Sequence, residues 1–212
     1  MIKVIRASFE GSNMKIKPDR LPEIVLLGRS NVGKSSLLNR LANQKNLARV
    51  SKTPGRTQDI NSFILEIEAE KKIKKIRLID LPGFGFANVS KNTAQKLENL
   101  IRETLEQRET LAALFLLNDC RRVAEDEEIW ARDTAFSSDV TVTVIATKCD
   151  KLSNNEKAKM LKNLSESYGL ERDDILISGE KVSIEPILRR MVSVEAKDVE
   201  TVSDKNNTQN RF

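Results

Sequence analysis

The sequence predicts an α/β protein with a doubly wound, mostly parallel sheet of six strands and helices on both faces. Apolar runs of strand length alternate along the chain with longer segments whose apolar residues recur at helical spacing. Most strands are followed closely by a helix, as in parallel sheets built with crossover connections. The link between the strands predicted at 62–68 and 76–80 is too short for a crossover, and it indicates an antiparallel hairpin at the sheet edge.

The individual elements follow from periodicity and from the signals at their ends. Strands are predicted at 23–27, 62–68, 76–80, 111–117, 140–146 and 174–177, and residues 2–9 alternate loosely as a further strand would. Helices are predicted at 36–42, 92–106, 125–136, 154–168 and from Ser183 to about 194, with Trp130 facing inward and Gly169 closing the fourth helix. We expect one domain over residues 1–195, followed by a polar, disordered tail over 196–212.

Composition narrows the class of protein. The chain has 212 residues, of which 39% are hydrophobic and 32% charged, so a soluble globular domain with a sizeable core is expected. The two cysteines form no disulfide framework and favour a reducing cytosol, and the lack of histidine excludes a histidine base. No signal peptide or membrane-spanning run is evident. The net charge of +5 permits an acidic partner such as RNA but does not require one.

The P-loop motif, G-x-x-x-x-G-K-[ST], occurs at residues 28–35, between a predicted strand and a predicted helix. In this context its backbone N–H groups form a phosphate-binding nest at a helix N-terminus. Lys34 is expected to reach the β- and γ-phosphates, and the Ser35 hydroxyl to bind Mg²⁺. The alternative is an ordinary strand-to-helix turn with a chance lysine, and the correct flanking elements count against it.

A second motif, D-x-x-G, ends the strand predicted at 76–80. The Asp80 carboxylate is placed to hold Mg²⁺ through a water, and the Gly83 N–H is placed to bond a γ-phosphate. An ordinary Pro-Gly turn is the alternative, and the nearby P-loop motif favours the functional interpretation.

The segment Thr147-Lys148-Cys149-Asp150 follows another buried strand, and it indicates which nucleotide base the protein binds. A carboxylate at Asp150 accepts hydrogen bonds from N1–H and the 2-amino group of guanine, which adenine does not offer. The stem of Lys148 can lie along the base plane. A charged turn after a strand is the alternative. Thr147 stands where GTPases more usually have asparagine, and Ile177-Ser178-Gly179 offers a backbone N–H near the guanine oxygen.

The segment from Lys45 to Gln58 is basic and contains Thr53-Pro54-Gly55, so a mobile loop beside the phosphates is expected. Thr57 is the candidate for a second Mg²⁺ hydroxyl, with Thr53 as its rival, and its binding would order the loop only when a γ-phosphate is present. The basic loop and the lysines at 71–75 either contact RNA phosphates or form solvated faces. Phe84 and Phe86 either contact a partner or fold inward, and the sequence does not choose between these.

Together and in this order, the motifs resemble the EngB (YihA/YsxC-type) GTP-binding protein family of the TrmE–Era–EngA–EngB–septin-like GTPase superfamily. The resemblance covers roughly residues 1–195 and rests on the segments 21–24, 28–39, 53–58, 80–87, 119–121 and 147–150. The chain departs from the family at Phe84 and Phe86, where tyrosines are usual.

The resemblance implies a Ras-like P-loop G domain with switch I at 45–60 and switch II at 80–92, binding GTP or GDP with Mg²⁺. By position, the nucleotide contacts would be Gly28, Arg29, Ser30, Asn31, Val32, Gly33, Lys34 and Ser35 in the P-loop, Gly55, Arg56, Thr57, Gln58 and Asp59 in switch I, Asp80, Leu81, Pro82 and Gly83 in switch II, and Thr147, Lys148, Cys149, Asp150, Ile177, Ser178 and Gly179 around the base. Lys34 and Gly83 would be catalytic, and Ser35 and Thr57 would be the Mg²⁺ ligands.

The family also implies a role in the bacterial or organellar cytoplasm, and we expect a monomeric switch-type GTPase with slow hydrolysis. The family implies a ribosomal subunit precursor, made of rRNA and ribosomal proteins, as partner in late large-subunit assembly, and a requirement in cell division and septation. Phe84 stands where many Ras-like proteins have a water-orienting glutamine, and Asn31 suggests a K⁺ ion as one substitute. One alternative is a nucleotide-gated binding protein of a cell-division complex whose hydrolysis is incidental, and a more distant one is a P-loop kinase that prefers ATP.

Overall fold

In the part of the chain that the structure describes, a mixed sheet of seven strands has helices on both faces, and the predicted fold class is confirmed. The computed structural model describes residues 2–12, 19, 21–48, 60–85 and 90–195. The predicted tail at 196–212 and most of the predicted switch I loop lie outside the described residues.

The strand order is β1-β3-β4-β2-β5-β6-β7. The strands are β1 (Ile2–Ser12), β2 (Glu23–Gly28), β3 (Asn61–Ala69), β4 (Lys72–Asp80), β5 (Leu111–Asp119), β6 (Thr141–Thr147) and β7 (Ile175–Ile177). All neighbours from β4 to β7 pair in parallel, whereas β3 is antiparallel to both β4 and β1. The prediction of six strands was one too few. The β3–β4 hairpin was expected at the sheet edge, but β1 pairs along β3 and is itself the edge strand.

The helices are α1 (Lys34–Leu41), α2 (Lys91–Gln107), α3 (Asp126–Ser137), α4 (Asn154–Tyr168) and α5 (Glu185–Ser193). Their ends follow local chemistry. Ser90 Oγ accepts from Thr93 N–H at the start of α2, and Ser153 and Glu156 form a capping box at the start of α4. None of the helices in the described part of the chain is long and apolar enough to cross a membrane.

Two apolar layers cover the sheet. On one face, α1 and α5 pack on Ile24, Leu26 and their neighbours, and on the other α2, α3 and α4 pack on Val25, Leu27 and theirs. Successive residues of β2 therefore point to opposite faces and are buried on both, as expected for a central parallel strand. Trp130 on α3 is half-buried against the second layer.

The β3–β4 hairpin turns through Glu70 and Lys71, whose φ angles of 52° and 65° are typical of a type I′ turn. Lys75 Nζ lies 3.1 Å from Glu66 Oε1, and Lys74 Nζ lies 3.0 Å from Glu195 Oε1. Both of these hairpin lysines therefore form ion pairs with glutamates of the same chain.

A buried ion-pair network lies at the N-terminal end of β2. Arg77 on β4 is 1% exposed and donates to Glu10, Asp19 and Glu23. Glu23 is 0% exposed and also accepts two hydrogen bonds from Arg108, at 2.6 and 2.7 Å. The network joins β1, β2 and β4 to the connection before β5, at the opposite end of the core strands from the predicted site.

Candidate functional site

The P-loop lies between β2, which ends at Gly28, and α1, which begins at Lys34. Gly28 has a φ angle of 155°, and a Cβ at this position would stand 2.5 Å from the carbonyl oxygen of Leu117 on β5. No side chain fits there, so the motif's first glycine is required by the close approach of two neighbouring strands. Ser35, a predicted Mg²⁺ ligand, lies in the first turn of α1.

Lys34 and Asp80 form the charged centre of the site. Burial raises the pKa of Asp80 to about 6, and the neighbouring Lys34 charge opposes this rise. Burial likewise lowers the pKa of Lys34, against the attraction of Asp80. Asp80 Oδ1 is buried and has no hydrogen-bond partner among the described residues.

The unpartnered oxygen of Asp80 is relevant to the expected Mg²⁺ site. A buried carboxylate oxygen normally has a hydrogen-bond donor or a cation beside it. Mg²⁺ binds carboxylates directly or through its water shell, next to substrate phosphates. Asp80, adjacent to the P-loop lysine, therefore fits the Mg²⁺ environment expected from the sequence.

The first residues of switch II lie directly on the P-loop. Ser30 N–H donates to Phe84 O at 3.0 Å, and Arg29 and Phe84 form an isolated parallel bridge. A Cβ on Gly83 would come within 2.9 Å of both Gly28 O and Ser30 N, so only glycine allows this contact. The Phe84 side chain is 5% exposed and packs in the α2–α3–α4 layer. Of the two alternatives for Phe84, a partner contact or an inward position, the structure therefore shows the inward one. Phe86 lies outside the described residues.

The predicted base motif is hydrogen-bonded to the P-loop. Thr147 Oγ1 lies 2.7 Å from Val32 O and 3.1 Å from Asn118 O, so the threonine that replaces asparagine still fixes β6 to the P-loop. Lys148 has a φ angle of 62°, and its Nζ donates to Asn31 O at 3.0 Å. The two motifs, more than a hundred residues apart in the chain, thus form one surface.

The segment after β7 completes that surface. Cys149 N–H donates to Ser178 O at 3.1 Å, and Ser178 N–H donates to Ala146 O at 2.7 Å. Gly179 approaches Asp150 so closely that a Cβ on it would lie 2.8 Å from Asp150 Oδ1. The Asp150 side chain is exposed and is therefore open to a ligand.

Sequence reasoning assigned no role to Asp119, which ends β5 beside the base motif. Its Oδ2 lies 3.0 Å from Lys148 Nζ and 2.6 Å from Arg121 Nη2. Hydrogen bonds from Arg121 hold the pKa of Asp119 well below its usual range, and Lys148 adds to this effect. An aspartate at the carboxyl end of a central strand was the signal that would have indicated it.

The predicted residues of switch I are not tested by this geometry. Gly55, Arg56, Thr57, Gln58 and Asp59, together with the rival Thr53, lie outside the described residues. Lys34 and Ser35 lie in the first turn of α1. The other predicted site residues lie at the carboxyl ends of β2, β4, β6 and β7 or in the segments that directly follow them.

Comparison with known proteins identifies relatives of this chain. Residues 23–166 match a family model described as "50S ribosome-binding GTPase". The chain is 37% identical over 166 residues to the probable GTP-binding protein EngB of Oceanobacillus iheyensis, covering 78% of this chain and 82% of the relative. It is 39% identical over 178 residues to the EngB of Geobacter sulfurreducens, covering 82% and 83%, and 43% identical over 155 residues to that of Clostridium perfringens, covering 73% and 75%.

Solved structures show the same fold. A crystal structure of a probable GTP-binding protein EngB superposes with a TM-score of 0.58 at 21% identity, covering 81% of this chain and 97% of that one. Era from Aquifex aeolicus, in complex with GDP.AlF4−, superposes with a TM-score of 0.65 at 18% identity, covering 84% and 58%. At these identities the structures bear on the fold alone.

Proposed function

The chain belongs to the EngB family of GTP-binding proteins and is a GTPase, and on that premise we propose that it is a slow, monomeric GTP-dependent switch acting in the cytoplasm in late assembly of the large ribosomal subunit. We further propose that normal cell division and septation depend on it. The family description "50S ribosome-binding GTPase" supports the partner. The observation that carries the nucleotide chemistry is the buried Asp80 carboxylate beside the P-loop lysine, whose Oδ1 has no hydrogen-bond partner in the part of the chain that the structure describes.

Each part of the site has a role in this proposal. The P-loop amides and Lys34 bind and stabilise the transferring phosphoryl group, and the Gly83 N–H bonds the γ-phosphate. Ser35 and Thr57 would ligate Mg²⁺, with Asp80 holding it through a water. When bound, Mg²⁺ neutralises charge on the β- and γ-phosphates. Phe84 is buried and brings no polar group to the attacking water, which fits slow intrinsic hydrolysis.

The base-binding part of the proposal rests on Asp150. Its exposed carboxylate stands beside Gly179, and Lys148 is held by Asn31 and Asp119. A carboxylate in this position selects guanine over adenine, since adenine would leave it unpaired. An ATP preference, as in a P-loop kinase, would contradict this assignment.

Co-sedimentation with large ribosomal subunits tests the proposal. Co-sedimentation of the wild-type protein is compared with a non-hydrolysable GTP analogue bound and with GDP bound. We expect the protein to bind the subunit only with the analogue. Asp150→Asn supplies the matched control, because it should bind the subunit with the analogous xanthosine nucleotide and not with the guanosine one. Equal binding in both nucleotide states, or none, would refute the ribosomal role and favour the division-complex alternative.

Hydrolysis assays separate the remaining alternatives. Stimulation of GTP hydrolysis by large subunits would support the switch, whereas no stimulation would favour incidental hydrolysis. Asn31 is proposed to help place a K⁺ ion near the phosphates. A hydrolysis rate that is unchanged when Na⁺ replaces K⁺ would rule this out.

A further inference from the structure

The side chain of Arg29, in the P-loop, reaches the start of α3. Its Nη1 lies 2.8 Å from Glu125 Oε2, 3.1 Å from Glu127 Oε2 and 3.7 Å from Glu128 Oε2. We call these four residues the Arg29 clasp. Three carboxylates around one guanidinium, almost a hundred residues away in the chain, fix the P-loop to α3.

The same guanidinium also lies against switch II, at Gly85. A Cβ on Gly85 would stand 2.8 Å from Arg29 Nη2 and 2.9 Å from both Cζ and Nε. The Arg29 backbone forms the bridge with Phe84, and the next amide, that of Ser30, donates to Phe84 O. Residues 83–85 are therefore held between the P-loop backbone and the clasp.

The charge balance keeps the guanidinium in this position. Glu128 is 2% exposed, and its burial raises its pKa, an effect that Arg29 opposes. Moving Arg29 away would leave a buried carboxylate without its cation, which is costly in a low-dielectric environment. Arginine suits the position because its planar fork contacts several carboxylates while one face stays free for packing.

We propose that Arg29 is a positioning residue that couples switch II to α3. The clasp stabilises the arrangement in which residues 83–85 lie on the P-loop and Phe84 O occupies the Ser30 amide. Gly83 lies directly on the P-loop backbone, where even a Cβ would come within 2.9 Å of Gly28 O and Ser30 N, so a γ-phosphate bound between the two segments requires them to separate. The clasp opposes that separation and therefore shifts the nucleotide preference towards GDP. This inference rests on the proposed role of Gly83 and adds α3 as the element that senses the nucleotide.

Glu127→Gln is the variant that tests the clasp. Glu127 is ion-paired to Arg29 only, among the described residues, and it takes no part in the Glu125–Glu128 capping box. Asp126→Asn is the matched control, because it removes the same charge from the same helical turn and Asp126 joins none of the described ion pairs. Both variants change the interaction with the helix dipole alike.

The measurement is the affinity for GDP and for a non-hydrolysable GTP analogue, each with Mg²⁺, for both variants and the wild type. We expect Glu127→Gln to bind the analogue about two- to fivefold more tightly than Asp126→Asn, the range of a partly exposed ion pair. GDP affinity should be the same in both. An analogue-to-GDP ratio that is equal in the two variants, or lower in Glu127→Gln, would overturn the inference.

Trp130, the single tryptophan of the chain, lies on α3 and provides a second readout. Its fluorescence should differ between the analogue and GDP in the wild type and in Asp126→Asn, and the difference should shrink in Glu127→Gln. No difference in the wild type would overturn the coupling to α3. Neither measurement involves ribosomes, so the inference can fail while the ribosomal role stands. Failure of the wild type to bind guanine nucleotides would instead refute the proposed function.

Discussion

Replacing Arg77 by methionine is expected to lower the free energy of unfolding by about 3 kcal/mol. All five N–H donors of the guanidinium are used, in bonds of 2.7–3.2 Å to Glu10, Asp19 and Glu23. Breaking a buried ion pair by removing one partner costs about 3–5 kcal/mol. The lower end applies here, because two of the three carboxylates can regain water.

The three carboxylates differ in how much stabilising interaction they lose when Arg77 is replaced. The side chains of Glu10 and Asp19 are 26% and 52% exposed, so water replaces part of their interaction with Arg77. Glu23 is fully buried, but it keeps two hydrogen bonds from Arg108. Methionine fills much of the space of the arginine stem, so little cavity cost is added.

Urea or thermal denaturation followed by circular dichroism measures the change, at neutral pH without nucleotide. For a domain of this size about 3 kcal/mol corresponds to a fall in Tm of roughly 6–12 °C. Arg189→Met is the control, since the Arg189 side chain is 65% exposed and, among the described residues, is ion-paired only with Glu185 on its own helix. It should cost less than about 1 kcal/mol. An Arg77→Met cost within the error of the Arg189→Met cost would refute the reasoning.

The same network predicts a pH dependence. Hydrogen bonds from Arg77 lower the pKa values of Glu10 and Asp19 from their ordinary 4.5 and 3.8. Carboxylates with lowered pKa values stabilise the fold fully above those ordinary values, and this stability is lost as the pH falls towards the lowered ones. The stability difference between wild type and Arg77→Met should therefore shrink as the pH falls from about 5 to about 3.

Two further predictions concern the nucleotide site. Asp80→Asn should raise the free energy of unfolding at neutral pH by about 1–3 kcal/mol in the absence of nucleotide and Mg²⁺, because it removes a buried charge whose pKa lies near 6. The same variant should lose Mg²⁺-dependent nucleotide affinity, and an unchanged or lowered stability would contradict the account of Asp80. Thr147→Val should cost about 1–2 kcal/mol and weaken GTP binding, because it leaves the buried Val32 carbonyl without the Thr147 hydroxyl. Thr141→Val, in an exposed position of the same strand, should change urea denaturation and nucleotide titration little, and equal effects of the two would count against a role for the Val32 contact.

Those parts of the fold that depend on neighbouring residues were predicted from the sequence. The predicted bounds of α4, residues 154–168, agree with the structure because both of its ends are set locally, by the Ser153–Glu156 capping box and by Gly169 with a φ angle of 57°. The P-loop and the D-x-x-G motif were placed at the ends of β2 and β4 for a similar reason, since a buried apolar run directly precedes each.

The remaining features depend on contacts between distant segments. Residues 2–9 show only loose alternation, because the pairing of β1 with β3 shifts register between Val4 and Arg6 and again between Phe9 and Gly11, which disturbs the two-residue period. The inward direction of Phe84 depends on the α2–α3–α4 layer, and the partners of Arg29 lie in a helix that begins almost a hundred residues later. Neither contact leaves a local signal in the chain.

The pairing of β1 with β3 has a consequence for folding during synthesis. Ile2 pairs with Ala69 and Ser12 with Asn61, so β1 is synthesised before β3 and cannot pair with it until about sixty more residues have followed. At about 5–20 residues per second, this corresponds to a delay of about 3–12 s. The P-loop and the switch I segment are translated during that interval. Completion of this sheet edge is therefore tied to translation of the nucleotide-binding segments that separate its two strands.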